Sequence, residues 1–220
     1  MNSSIYTTAE YLFTFLVKHG IKFNIHGYPV IPAECILRDT PEEIVPFDHR
    51  NACNSPSKTV ICFFSKDQRL YPRLGTLDKD IGKLRRYLAV GGFDLSPRRE
   101  HDPSLQEFNL LLNRMIDAYR ALHDIKILPN FRTGSIDTIN SLSSYPSGSN
   151  FLVGTVGCAQ RHLQQGDILL RAKLIYARPE MLFVYGPFKS LYQATLDELG
   201  QEYRHFEDFR CATWPKKEVA

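Results

Sequence analysis

TVICFF, residues 59–64, is an uninterrupted apolar run of β-branched and aromatic side chains, followed at once by Ser65-Lys66-Asp67-Gln68-Arg69. A strand with one wet face alternates apolar and polar residues. A run without alternation fits a strand covered on both faces, as in a parallel sheet between helices. Four more runs follow: LAVGGF (88–93), IKIL (125–128), FLVGT (151–155) and MLFVY (181–185). Helical patterns over 78–88, 102–123, 135–142 and 167–176 separate them, and a last one covers 190–199. Asp102 is an N-cap with Pro103 at the first helical position, where its missing N–H costs nothing. The helix it opens has its core face at Leu105, Phe108, Leu112, Met115, Ile116 and Tyr119, and the helix over 167–176 has one at Ile168, Leu169, Ala172 and Ile175.

Apolar runs alternating with helices are the pattern of βα units, whose crossovers need a dozen or more residues. The expected class is α/β: a mostly parallel sheet of about five strands from consecutive βα units. A doubly wound sheet and a partial β/α barrel both remain open, and five units are too few for a complete eight-stranded barrel. Upstream, residues 7–20 read as a helix, with Thr7 and Glu10 at capping-box spacing, Gly20 as its stop, and Tyr11, Leu12, Phe15 and Leu16 on one face. Residues 21–58 carry Pro29, Pro32, Pro41, Pro46 and Pro56, which leaves loops, a helical turn and one or two short edge strands. The organisation expected is a single domain over 1–220: an irregular N-terminal cap (1–58), a βα core (59–199) and a charged tail (200–220) ending in Lys216-Lys217.

Composition narrows the classes. The 220 residues are 43% hydrophobic and 23% charged, close to the globular average, with net charge +3 and a pI near 8.5. That is less basic than dedicated duplex binders. No apolar stretch is long enough to span a bilayer, and the first residues lack a basic start and apolar run, so a cytoplasmic protein with no membrane partner is expected. The five cysteines are odd in number with no close pairs, which fits reduced thiols. None of the seven histidines has HxH or HExxH spacing, so no metal site is expected.

Ligands of parallel α/β sheets bind at the carboxyl ends of the strands. Past the runs stand Ser65 to Arg69, Asp94-Leu95-Ser96-Pro97-Arg98-Arg99, Pro129-Asn130-Phe131-Arg132, Thr155-Val156-Gly157-Cys158 and Tyr185-Gly186-Pro187. Asp94 is the candidate acid–base group, with capping of the Ser96-Pro97 turn as its structural alternative. Arg132, Arg98 and Arg99 are the candidate anion contacts. Asn130, Thr155, Ser96 and Tyr185 are candidates to orient a ligand. Arg114, inside the long helix, either reaches a strand-end carboxylate or snorkels to water. A carboxylate near arginines should keep a low pKa, which counts against proton transfer. Cys158, with His162 four residues on, is a weaker candidate nucleophile. Neither GxGxxG nor GxxxxGK[ST] occurs, so standard nucleotide loops are excluded.

FDLS (93–96), Asn113-Arg114 in the long helix, IKILPNFRTG (125–134), FLVGTVGC (151–158) and FVYG (183–186) occur in that order. Together they resemble an uncharacterised domain-of-unknown-function family of bacteria, phages and mobile elements, over about residues 59–199. The resemblance implies a mobile-element setting and supplies no reaction or cofactor. Three functions follow as expectations. The first is binding or processing of a small anionic, phosphate-containing, nucleotide-like ligand at the strand ends, with enzyme status open. The second is a non-catalytic interaction protein that inhibits or sequesters a host protein through the aromatic N-terminal segment. The third, less favoured, is a nucleic-acid accessory using Arg69, Arg73, Lys83, Arg85, Arg86, Arg98 and Arg99.

Overall fold

The computed structural model describes residues 4–155, 163–188, 190–209 and 211. Four strands, β1 (Glu43–Pro46), β2 (Thr59–Cys62), β3 (Ala89–Gly91) and β4 (Ile127–Leu128), form one sheet in the order β1-β2-β3-β4. Three more, β5 (Phe151–Gly154), β6 (Leu182–Tyr185) and β7 (Tyr203–Phe206), form a second in the order β5-β6-β7. Every strand pair is parallel. Each strand lies beside its predecessor, and neither sheet shows the order reversal of a doubly wound fold. A parallel bridge between Asn130 and Leu152 joins the sheets: Phe131 N donates to Leu152 O at 2.8 Å and Leu152 N to Pro129 O at 2.7 Å.

Seven strands among the described residues replace the five expected. Of the two beyond the five apolar runs, β1 is a short edge strand of the kind expected within residues 21–58, and β7 carried a weak signal. β1 is EIVP, two apolar residues between Glu43 and a proline, at the edge of its sheet where Pro is tolerated. It pairs with β2 along its whole length, so the proline-rich segment contributes to the sheet. β7 is YRHF, whose Arg204 and His205 face water, so no apolar run marks it.

The helices are α1 (Ile5–Lys18), α2 (Asp67–Leu74), α3 (Leu77–Leu84), α4 (Pro103–Ala121), α5 (Leu163–Ala177) and α6 (Ser190–Glu198). Asp102 caps α4, its carboxylate accepting from Ser104 N at 2.9 Å. The cap of α1 is Ser4, not Thr7: Ser4 Oγ accepts from Thr7 N, so the helix starts earlier than its capping-box spacing suggested. Residues 136–144 form a 3-10 stretch instead of a short α-helix. α5 turns the other way from the expectation. Ile168 and Ile175 are 67% and 72% exposed, while Leu170, Leu174 and Ala177 are buried. Apolar residues occupy both faces of this helix, so periodicity alone could not choose between them. In α4, Leu105 is exposed while Leu112, Met115, Ile116 and Tyr119 are buried as expected.

Side chains alternate across each strand. One set (Val45, Ile61, Val90, Ile127, Phe151, Val153, Leu182 and Val184) packs against the helices. The other set (Ile44, Val60, Cys62, Ala89, Leu128, Leu152, Phe183, Tyr185 and Phe206) forms one cluster with contributions from all seven strands. The two sheets therefore share an inner apolar face, and the strands are covered on both sides. Gly91 makes this closeness possible: a Cβ there would lie 2.9 Å from Leu152 Cδ2 of the other sheet. No helix among the described residues is long and apolar enough to cross a membrane.

Candidate functional site

The segment leaving β3 is held by side chains instead of a neighbouring strand. Asp117 Oδ1 accepts from Phe93 N at 3.0 Å. Asn113 accepts from Leu95 N at 3.0 Å and donates to Leu95 O at 2.9 Å. Asn109 donates to Ser96 O at 3.0 Å, and Gln106 to His101 O at 2.8 Å. These four residues stand one helical turn apart on the buried face of α4. On the other side, Asp67 Oδ1, in the first turn of α2, accepts from Ser96 N at 3.0 Å. Residues 93–96 are thus pinned from both flanks.

That segment delivers Asp94 to the rim shared with β4. Its Oδ2 accepts from Arg132 Nη1 at 2.9 Å, and its Oδ1 from Asn130 Nδ2 at 3.4 Å. Asn130 Nδ2 also donates to Gly92 O at 2.8 Å. Gly92 has to lack a side chain: a Cβ would stand 2.9 Å from both Asn130 N and Asp117 Oδ2. Asp94 and Asn130 are buried, whereas the Arg132 side chain is 39% exposed. The structure therefore brings together Asp94, Asn130 and Arg132, from two different strand ends.

The electrostatics of Asp94 reverse the expectation of a low pKa. Burial raises its pKa from 3.8 to about 6, and the nearby Asp67 adds to the rise. Arg132, Arg114 and the Asn130 hydrogen bond oppose it without prevailing. Removing a carboxylate from water costs more here than one half-solvated guanidinium returns. Asp117 is also raised by burial, against Arg120, Arg114 and the bonds from Phe93 N and Tyr145.

Arg114 is committed to backbone carbonyls beneath the rim. It is fully buried, donates from Nε to Ser141 O at 3.1 Å and from Nη2 to Arg132 O at 2.9 Å, and lies over the Tyr145 ring. Its work is to fix the backbone that carries Arg132. Tyr145 completes this buried network by donating to Asp117 Oδ2 at 2.7 Å. Ser96 is committed through its backbone to Asp67 and Asn109. Arg98 and Arg99 lie exposed on the turn after Pro97, with no side-chain hydrogen bond among the described residues, and neither contacts the Asp94 pair. Thr155 donates through N and Oγ1 to Tyr185 O, at 3.0 and 3.1 Å. Tyr185 is buried, with its hydroxyl on Asp208 Oδ1 at 3.1 Å and its ring against Phe64. Thr155 and Tyr185 belong to the β5–β6 part of the rim and make no hydrogen bond to Asp94. Gly157, Cys158, His162, Lys216 and Lys217 lie outside the described residues. No group of three or more metal-ligating side chains occurs among the described residues.

Several residues that position the site were not among the candidates. Gln106, Asn109, Asn113 and Asp117 follow a helical period, and buried polar residues at that spacing were the signal. Asp67 and Asp208 sit beyond β2 and β7 respectively.

A family model described as Domain of unknown function (DUF4417) matches residues 23–206. It reaches further towards the N-terminus than the motifs did, taking in β1, which pairs with β2. Neither the curated proteins nor the solved structures contain a match. The chain belongs to the DUF4417 family.

Proposed function

We propose that this DUF4417 protein binds a small anionic, phosphate-bearing ligand at the C-terminal ends of its parallel strands, with Arg132 as anion contact and Asp94 as its buried partner. One observation carries the reading. Arg132 uses Nη1 on Asp94, while Nε and Nη2 have no hydrogen bond among the described residues and the side chain is 39% exposed. A guanidinium anchored at one edge and open at the other suits bidentate capture of an oxyanion. The sequential parallel order and the shared inner face support a partial β/α barrel, in which ligands bind at this end of the strands. A carboxyl group with a pKa near 6 is also suited to proton transfer around neutral pH, which makes Asp94 the acid–base group if the ligand is processed.

The test is calorimetric titration with inorganic phosphate and nucleoside mono-, di- and triphosphates. Arg132→Ala should weaken the best ligand at least about tenfold, the scale of one lost charge-assisted pair. Affinity should also rise as pH falls through about 6, because a protonated Asp94 stops competing for Arg132. Equal binding by parent and Arg132→Ala, or no binding by the parent, refutes the reading.

A second reading, a protein-interaction surface, is favoured by the outer side of the N-terminal segment. Tyr6, Phe13, Val17 and Ile25 are all exposed there. Deleting residues 1–58 is not a clean test, since β1 would leave the sheet. Phe13→Glu with Ile25→Glu is the cleaner perturbation. A host protein retained by the parent and lost by this variant supports the second reading, and equal retention opposes it.

A further inference from the structure

A second cationic feature lies at the same end of the strands, on residues the Asp94–Arg132 pair does not involve. Phe47 follows β1 directly and is buried. The Arg50 guanidinium lies 4.3 Å from its ring centroid and that of Arg73 lies 4.7 Å away. Arg69, four residues before Arg73 and so on the same face of α2, stands 3.5 Å from Asp48. Arg69 and Arg73 both line a cleft that begins at Phe47, Phe64 and Ser65 and continues past Asp48, His49 and Thr76. The groove is thus lined by two guanidiniums, Arg69 and Arg73, and a single carboxylate, with the Arg50 guanidinium packed on the same Phe47 ring.

Hydrogen bonding shows which of these groups are committed. Arg50 donates from Nη1 to Phe47 O at 2.9 Å. Arg73 is half-buried, yet its side chain makes no hydrogen bond among the described residues; the Phe47 ring is its one described partner. Guanidiniums held around one ring repel one another, and one carboxylate does not balance them. A compact dianion in the cleft would take up their unused donors.

We propose that this cleft, formed by the end of β1 and by α2, binds the terminal phosphate or diphosphate of a small molecule. A nucleic-acid strand fits less well. Strand binders combine a track of cations with aromatic faces open for stacking. Here the cations converge on one ring, and that ring is buried beneath them.

Calorimetric titration with inorganic pyrophosphate tests the proposal, on the parent and on Arg69→Ala, Arg73→Met and Arg132→Ala proteins. Arg69 is exposed, so its removal leaves folding intact, and matching thermal melts provide the check for Arg73→Met. Pyrophosphate binding weakened at least about tenfold in Arg69→Ala and Arg73→Met, and less than about twofold in Arg132→Ala, establishes the cleft. Three results overturn it: no binding by the parent, binding unchanged in Arg69→Ala, or binding lost in Arg132→Ala. If Arg132→Ala alone loses binding, the Asp94–Arg132 reading survives and this one fails. A single-stranded oligonucleotide that binds more tightly than pyrophosphate, with affinity growing with its length, overturns the small-molecule assignment.

Discussion

Asp94→Asn isolates the cost of burying this carboxyl group. The substitution keeps shape and removes charge. In the folded protein the Asp94 pKa is raised from 3.8 to about 6, so the native state holds this proton more tightly than the unfolded chain. Its contribution to stability is therefore fully present below about pH 4 and is lost as pH rises through about 6. A difference of two units, at 1.36 kcal/mol per unit, makes the loss roughly 3 kcal/mol. Asp94→Asn escapes it, because an amide does not ionise. Urea unfolding from pH 4 to pH 8 should show parent and variant about equal at the acid end. The variant should then gain by up to roughly 3 kcal/mol at the alkaline end, with equal m-values. Subtracting one curve from the other removes the other titrating groups, Asp117 included. A difference that stays flat with pH, or one in which the parent gains as pH rises, refutes the reasoning. It would mean that the 2.9 Å pair with Arg132 outweighs desolvation.

Gly92→Ala should destabilise by about 1–3 kcal/mol, because the new methyl meets Asn130 backbone and the Asp117 carboxylate, neither free to move; a shift in urea midpoint measures it. Arg114→Lys should cost about 2–4 kcal/mol, since a point charge cannot reach both Ser141 O and Arg132 O, and the same titration should show weaker anion binding at Arg132. Asp102→Ala should cost about 1 kcal/mol through the lost cap of α4, leaving ligand affinity unchanged.

The meeting of Asp94, Asn130 and Arg132 was legible because parallel strands all point the same way, so residues just past them share a rim. Asp102-Pro103 was legible because capping is local. The gaps have physical causes. β7 exposes Arg204 and His205, and β1 is two apolar residues between a glutamate and a proline, so neither shows the run of a doubly covered strand. The orientation of α5 was hidden by apolar residues on both faces. The pKa of Asp94 was misjudged because sequence reveals neighbouring charges but not depth of burial, and burial decides its sign. The clustering of Arg50, Arg69 and Arg73 depends on β1 being a strand, so it could not precede that knowledge.

The four polar residues on the inner face of α4 act as a substitute strand, offering amide and carboxylate groups where a neighbouring backbone would offer peptide groups. The shape of the loop after β3 is thereby written in residues 106–117 and not in the loop itself. The exposed side chains of Arg98 and Arg99 can therefore be exchanged while the main chain beneath them keeps its course. A change at Asn113 would bend that course without altering a single residue of the loop.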